Sequence, residues 1–139
     1  MVGIDYVKEM LNSARKKASK AGFKNIELVE GDAAKISFPK NYFDGVISTI
    51  GISSIPNHKE ALRRVMGNLK KNKRLVILDG KLFNPPLKMF NPFIKYLRWS
   101  KSWDVNKDII NDVKKLFKNA HIEEFLCGLF FIITCIKKD

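Results

Sequence analysis

The amino-acid sequence predicts an α/β protein with a mostly parallel sheet and helices on both faces of that sheet. Two observations carry this prediction: short apolar strands alternate with amphipathic helices over residues 2–80, and two of the strands end at an acidic residue. Strand–helix–strand units close with right-handed crossovers, which place successive strands parallel in one sheet. Near the C-terminus two strands follow each other across a short turn, which predicts an antiparallel end to the sheet.

Residues 1–80 supply the predicted parallel units. Strands are predicted at residues 2–4, 26–29, 43–49 and 75–78. A first helix is predicted over residues 6–21, where apolar residues recur at helical spacing, and Gly22 follows it as a C′ residue. A second helix begins after Asn57, and Glu60 three residues later completes a capping box. The polar residues 48–55 predict a loop at the carboxyl end of a strand.

The second half of the chain combines an irregular segment, a helix and two strands. Residues 81–104 contain two proline motifs and crowd aromatic side chains among basic ones. A helix is predicted over residues 107–118, and an antiparallel pair of strands at 121–126 and 129–136, joined at Cys127-Gly128. We therefore expect one domain over residues 1–139, with residues 81–106 as a lid-like aromatic and basic insertion.

Two aspartates stand where predicted strands end. Asp5 follows Val2-Gly3-Ile4, and Asp32 follows Val29-Glu30-Gly31. In an open α/β sheet, a carboxylate beyond the carboxyl end of a strand accepts hydrogen bonds from ribose hydroxyls, which predicts a site for a nucleoside cofactor. A helix N-cap is the alternative for Asp5, and a turn residue for Asp32. The upstream Gly-rich turn that this architecture normally carries is not in the sequence, so we expect the first strand of the usual fold to be missing.

Composition and charge narrow the class of protein. The chain has 139 residues, 45% of them apolar, and no run of about 18 apolar residues long enough to span a membrane. The start of the chain has no signal segment, and Cys127 and Cys135 lie too far apart for a C-x-x-C motif, so we expect buried free thiols and a cytoplasmic location. The net charge of +12 comes from dispersed lysines and predicts a solvated basic surface. Peripheral contact with an anionic membrane is the alternative, and a nucleic-acid partner is not expected.

Three runs of residues carry a resemblance to one enzyme family. The runs are Val2-Gly3-Ile4-Asp5 with Met10-Leu11; Glu30-Gly31-Asp32-Ala33 with Phe38-Pro39 and Phe43-Asp44-Gly45-Val46; and Ala61-Leu62-Arg63-Arg64-Val65 with Arg74-Leu75-Val76-Ile77. In their order and spacing they resemble the class I S-adenosylmethionine-dependent methyltransferases, in particular those like the ubiquinone/menaquinone-biosynthesis methyltransferases, over essentially the whole chain. The resemblance implies a Rossmann-like fold and S-adenosylmethionine as cofactor.

The resemblance also implies roles for individual residues. Asp5 would bind the ribose hydroxyls of S-adenosylmethionine, and Ile4 and Tyr6 would line the adenine slot. Asp32 would accept a hydrogen bond from the adenine amino group, with the backbone of Ala33 beside it. Each of these residues lies at or just after a predicted strand end.

The remaining implied contacts concern the methionine end of the cofactor and the acceptor. Ser48 would close over the methionine end, and the lid-like segment would contact the acceptor. The alternative for this segment is a helical hairpin that packs its aromatic side chains into the core. The acceptor candidates in it are Phe83, Phe90, Tyr96 and Trp99.

The function implied is a methyltransferase, or the larger part of one, acting on a small-molecule or lipid-like acceptor. Methyl transfer from a sulfonium needs positioning and desolvation more than acid–base groups, and no catalytic residue or metal site is identified. His58 is expected at the surface. The absent Gly-rich turn favours the alternative, a non-catalytic remnant of the fold that acts as a binding or assembly module. A missing central strand would leave two unpaired edges, so a homodimer or a partner chain covering an exposed sheet edge is expected.

Overall fold

The computed structural model describes residues 1–98, 104, 106–117 and 119–138. The chain divides into two compact units, Met1–Ser37 and Phe38–Asp139, and each is described on its own. No helix among the described residues is long and apolar enough to cross a membrane. The expectation of one domain with an insertion over residues 81–106 stays a prediction.

The first unit is a strand–helix–strand unit. It contains β1 (Val2–Asp5), α1 (Lys8–Lys20) and β2 (Glu27–Glu30). The two strands are parallel, with Val2 opposite Glu27 and Asp5 opposite Glu30. Gly22 follows α1 at φ +74°, a conformation that a side chain disfavours, so the predicted C′ glycine is confirmed. The helix begins two residues later than predicted, because the side chain of Asp5 holds the backbone N–H of Val7 in an extended segment.

The second unit contains a mixed sheet and three helices among the described residues. Its strands lie in the order β3-β4-β6-β5; β3 pairs parallel with β4, and β6 pairs antiparallel with both β4 and β5. The strands are β3 (Phe43–Thr49), β4 (Leu69–Gly80), β5 (His121–Phe125) and β6 (Phe130–Ile136). The helices are α2 (His58–Asn68), α3 (Asn91–Arg98) and α4 (Ile109–Leu116), with 3₁₀ turns at Ile52–Ser54 and Leu87–Phe90.

One apolar core stabilises the second unit. It forms where α2 and α4 pack with β4 and β6, and its side chains are almost completely shielded from water. Burying each such side chain contributes about 1.5–3 kcal/mol relative to leaving it exposed. The most deeply buried members are Leu62, Leu69, Leu75, Ile77, Val113, Phe131 and Ile133. The predicted α/β fold class is confirmed, including the antiparallel C-terminal strands.

Residues 70–73 form an irregularity within β4: β4 advances from Leu69 to Arg74 while β3 advances only from Phe43 to Gly45, and Asn72 has φ +59°. One local prediction was wrong. The capping box at the start of α2 does not form: Asn57 makes no side-chain capping bond. The carboxylate of Glu60 turns instead to the arginines three and four residues later, at 3.4 and 3.3 Å.

The expectation of two buried thiols holds for one cysteine. Cys135 lies in β6, where burial raises the pKa of its thiol to about 11. Cys127 is exposed, because it occupies the tight turn between β5 and β6 with φ +54°. A thiolate is the reactive form of cysteine, so burial and the raised pKa both slow the reaction of the Cys135 thiol.

We expect one thiol of the folded protein to react with Ellman's reagent, and two after unfolding in urea. Cys127→Ser should abolish the reaction of the folded protein and leave the reaction of Cys135 that appears after unfolding. Because the folded pKa of Cys135 is raised from 9.0 to about 11, its contribution to stability is full below pH 9.0 and is lost as the pH rises through 11. Fast labelling of both thiols in the folded state would contradict the assignment.

Candidate functional site

The carboxyl ends of β1 and β2 bring two of the predicted site residues to one edge of the first unit. The parallel register places Asp5 opposite Glu30. The backbone N–H of Gly31 donates to the carbonyl of Asp5 at 3.0 Å, which extends the pairing one residue beyond the strand. Asp32 follows directly, so Asp5 and Asp32 lie at the same edge of the strand pair, as predicted.

Asp5 uses one carboxylate oxygen to shape the chain and leaves the other available. Its Oδ1 accepts a hydrogen bond from the backbone N–H of Val7 at 2.8 Å. The N-cap residue of α1 is Val7, so Asp5 is not the helix cap that the alternative interpretation proposed. Within the described part of the chain, Oδ2 of Asp5 has no hydrogen-bond partner. A carboxylate oxygen of this kind can accept bonds from a ligand hydroxyl.

Asp32 organises the turn after β2. Its Oδ1 accepts from the backbone N–H of Ala34 at 2.9 Å, and its carbonyl accepts from Lys35 and Ile36 at 2.8 and 2.9 Å. The turn interpretation of Asp32 is therefore confirmed. Its Oδ2 lies 4.0 Å from the Nζ of the exposed Lys35, an ion pair that contributes little to stability at a surface. This oxygen remains accessible to a hydrogen-bond donor.

The residues around Asp5 present apolar surface to water. Tyr6 is 77% exposed and Ile4 is 38% exposed, although both carry large apolar side chains. Ile4 and Tyr6 flank Asp5 in the sequence, and an exposed aliphatic side chain or aromatic ring is the kind of surface on which a purine ring packs. Ala33 is half-buried in the turn that Asp32 organises.

In the second unit, a loop follows β3 at the carboxyl end of the parallel pair β3/β4. Ser48 is half-buried near the end of β3, opposite Ile77. Ile50 has φ +52°, which a β-branched residue adopts at a cost of about 1–3 kcal/mol. Its backbone N–H donates to the carbonyl of Leu78 at 2.7 Å, which holds this conformation in place.

A buried carboxylate that was not among the predicted site residues, that of Asp79, fixes this loop. Asp79, at the end of β4, is fully buried together with Ser53. Its oxygens accept from the hydroxyl of Ser53 at 2.6 Å, the backbone N–H of Ser53 at 3.0 Å and the backbone N–H of Gly80 at 2.8 Å. The sequence did contain a sign of this role, because Asp79 is an acidic residue directly after the predicted strand at 75–78.

Lys107 fixes the same loop from another side. Its Nζ donates to the carbonyls of Ser53 and Ile55, both at 2.8 Å. The backbone N–H of Asp104 adds a 3.3 Å bond to the carbonyl of Ser53. Nothing in the local sequence distinguishes Lys107 from the other lysines, so its role follows from the tertiary structure alone.

The candidate acceptor residues lie in different environments. Phe83 is half-buried, and its backbone N–H and carbonyl both bond to the side chain of Asn91, at 2.9 and 3.1 Å. Phe90 and Tyr96 are exposed on the following helical segment. Trp99 lies outside the described residues. The backbone of Phe83 is therefore anchored, whereas the side chains of Phe90 and Tyr96 are accessible to a partner or a substrate.

The prediction of a surface position for His58 was wrong. His58 is buried, and its Nε2 lies 2.9 Å from Oδ2 of Asp112 on α4. The pair joins α2 to α4 at a cleft of about 640 Å³ that also includes Lys59 and Lys115. No group of histidine, cysteine and acidic side chains in the described ranges is arranged to hold a metal ion.

Comparison with known proteins gives a family match over most of the chain. Residues 1–126 match a family model described as a methyltransferase domain. The demethylmenaquinone methyltransferase of Listeria monocytogenes serotype 4a (strain HCC23) is 31% identical over 99 residues, which cover 70% of this chain and 42% of that protein. The demethylmenaquinone methyltransferase of Staphylococcus epidermidis (strain ATCC 35984) is 27% identical over 135 residues, covering 94% of this chain and 55% of that protein. The chain thus spans about half the length of these curated relatives.

The fold is shared with a solved methyltransferase. The structure of phosphoethanolamine N-methyltransferase 2 from Haemonchus contortus, in complex with phosphomonomethylethanolamine and S-adenosylhomocysteine, superimposes with a TM-score of 0.80. The match covers 99% of this chain and 43% of that one, at 15% sequence identity. Identity at this level supports the fold alone.

We expect Asp79→Asn to lower the free energy of unfolding by about 2–3 kcal/mol, because an amide cannot accept all three buried hydrogen bonds. Urea denaturation measures this change. Asp44→Asn is the matched control, since the carboxylate of Asp44 is exposed and pairs with Lys70 at the surface, and its unfolding midpoint should stay unchanged. Equal midpoints for Asp79→Asn and the unaltered protein would contradict the role of Asp79.

Proposed function

The chain belongs to the class I S-adenosylmethionine-dependent methyltransferase family, and on that premise we propose that it binds S-adenosylmethionine at the carboxyl edge of β1 and β2 and serves methyl transfer to a lipid-like acceptor. The observation that carries the proposal is the available Oδ2 of Asp5 at this edge, beside the exposed Ile4 and Tyr6. The family match over residues 1–126 supports the same cofactor.

The side chains at this edge fit the cofactor. The carboxylate of Asp5 would accept hydrogen bonds from the two ribose hydroxyls, and Ile4 and Tyr6 would pack against the adenine. Oδ2 of Asp32 would accept a hydrogen bond from the adenine amino group, because Oδ1 already accepts one from the backbone N–H of Ala34. Ser48 lies in the second unit, and its implied contact with the methionine end stays a prediction. Ile4 and Tyr6 are exposed at the edge of the first unit.

Methyl transfer from S-adenosylmethionine requires few acid–base residues. S-adenosylmethionine supplies an activated methyl group on a sulfonium, so the protein acts mainly by orienting the acceptor and excluding water. The loop after β3 suits an orienting role, because Asp79 and Lys107 fix its backbone at Ser53. Such a loop can present polar groups to a substrate with little loss of entropy on binding.

A lipid-like acceptor is the proposed substrate class. The curated relatives are demethylmenaquinone methyltransferases, whose name specifies a quinone precursor as substrate. The segment after β4 carries the exposed apolar side chains of Phe90 and Tyr96, which can pack against an apolar acceptor. A small polar acceptor would not require such a surface.

The sheet of the second unit carries an open edge that we propose is covered by a second copy of this chain. Among the described strands, β3 has β4 as its one hydrogen-bonded neighbour, so its other edge leaves backbone groups unpaired. Ile47 on β3 is 73% exposed. The opposite edge strand, β5, carries the exposed Glu123 and Glu124, and charges of this kind discourage pairing.

Binding of S-adenosylhomocysteine, measured by isothermal titration calorimetry, tests the cofactor proposal. We expect micromolar binding, and at least a tenfold weaker affinity for Asp5→Ala, because a hydrogen bond to a charged group contributes about 1.5–3 kcal/mol. Glu9→Ala on α1 is the control and should bind normally. A folded protein that fails to bind millimolar ligand, or Asp5→Ala binding like the unaltered chain, would refute the proposal.

Sedimentation equilibrium tests the second copy. We expect a mass of twice the 16.0 kDa of one chain, and one chain's mass for Ile47→Lys, because a lysine at this edge opposes strand pairing. Phe125→Lys, on β5, is the control and should sediment like the unaltered protein. A single-chain mass for the unaltered protein at high concentration would contradict self-association.

A further inference from the structure

An exposed apolar stripe runs along the segment that follows β4. Met89, Phe93 and Tyr96 are 77%, 59% and 73% exposed and are spaced four and three residues apart, so they share one face of α3 and the 3₁₀ turn before it. Phe90, also exposed, adjoins this face. Contiguous large apolar side chains in water mark an interaction surface rather than a scattered surface composition.

The stripe is presented by a fixed backbone. The buried side chain of Asn91, at the start of α3, both accepts from and donates to the backbone of Phe83. Asn84 donates to the carboxylate of Glu124 on β5 at 2.6 Å, and Lys81 pairs with the same carboxylate at 2.8 Å. These bonds hold the pKa of Glu124 below its usual range, chiefly through the hydrogen bond from Lys81. The beginning of the segment is therefore tied to the sheet, and the exposed stripe lies on an anchored element.

The charge around the stripe has one sign. Between Lys81 and Trp103 the sequence has five basic residues and no acidic one. Lys88 and Lys95 are both exposed and stand seven residues apart, at the same spacing as Met89 and Tyr96. A helix with apolar and aromatic residues on one face and lysines beside them is typical of segments that lie in the interface of an anionic bilayer.

We propose that this surface, Lys88, Met89, Phe90, Phe93, Lys95 and Tyr96, docks on an anionic lipid bilayer. The apolar side chains insert at the boundary between headgroups and acyl chains, and the two lysines contact the anionic headgroups. The local charge, five basic residues and no acidic one between Lys81 and Trp103, disfavours the same surface of a second copy as the occupant and favours an anionic surface. The inference rests on exposure and charge, and it stands whether or not the cofactor proposal holds.

Vesicle flotation tests the docking, with no cofactor present. We expect the protein to float with vesicles of phosphatidylcholine mixed with phosphatidylglycerol and to stay unbound with phosphatidylcholine alone. The double variant Met89→Ser/Phe93→Ser should reduce the bound fraction at least tenfold through loss of apolar insertion. Lys88→Gln/Lys95→Gln should weaken binding by about fivefold per lysine.

Matched variants separate this surface from general charge and from general apolar exposure. Lys16→Gln/Lys20→Gln removes the same charge from the exposed face of α1, and Phe23→Ser removes an exposed aromatic ring from the first unit. Both should float like the unaltered protein, and circular dichroism should show that every variant is folded. Equal binding to neutral and anionic vesicles, or full binding by Met89→Ser/Phe93→Ser, would overturn the proposal. A halved sedimentation mass for Met89→Ser/Phe93→Ser would do the same, because the stripe would then be a protein interface.

Discussion

The two strand edges that carry the candidate residues, one in each unit, depend on one constraint, the parallel pairing of neighbouring strands. Because parallel strands end at the same edge, the residues that follow them are brought together without any direct bond between their side chains. In the first unit this pairing places Asp5 and Asp32 at the same edge of the strand pair. In the second it places the loop after β3 next to Asp79 at the end of β4. The chemistry available to the chain follows from what stands at these two strand ends.

The two edges are built differently. At the first, the aspartates shape the backbone with one oxygen each and leave the other accessible, which suits a ligand that brings hydroxyl and amino groups. At the second, the carboxylate of Asp79 is fully used inside the protein, and its effect is to fix the loop that contains Ser53. An unbonded buried carboxylate would cost several kcal/mol, so the three donors to Asp79 are a condition of the fold.

Residues with a local signature could be predicted from the sequence, and residues with a long-range role could not. Asp5 and Asp32 were predictable because each stands at or just after the end of a short apolar strand, and Gly22 because a helix pattern stops there. Lys107 was not, since its partners at Ser53 and Ile55 lie about fifty residues away in the sequence. His58 was misjudged for the same reason, because its burial comes from Asp112 on another helix. The predicted capping box does not form, and the carboxylate of Glu60 pairs with Arg63 and Arg64 instead.

Amide hydrogen exchange, followed by mass spectrometry with and without S-adenosylhomocysteine, tests the cofactor site most directly. Exchange should slow in the segments around Asp5–Val7 and Gly31–Ala34, because the ligand orders the two strand ends whose carboxylates hold it. Exchange in the cleft beside His58 and Asp112 should not change. Protection confined to that cleft, or no protection anywhere at saturating ligand, would contradict the claim that the carboxyl edge of β1 and β2 is the cofactor site.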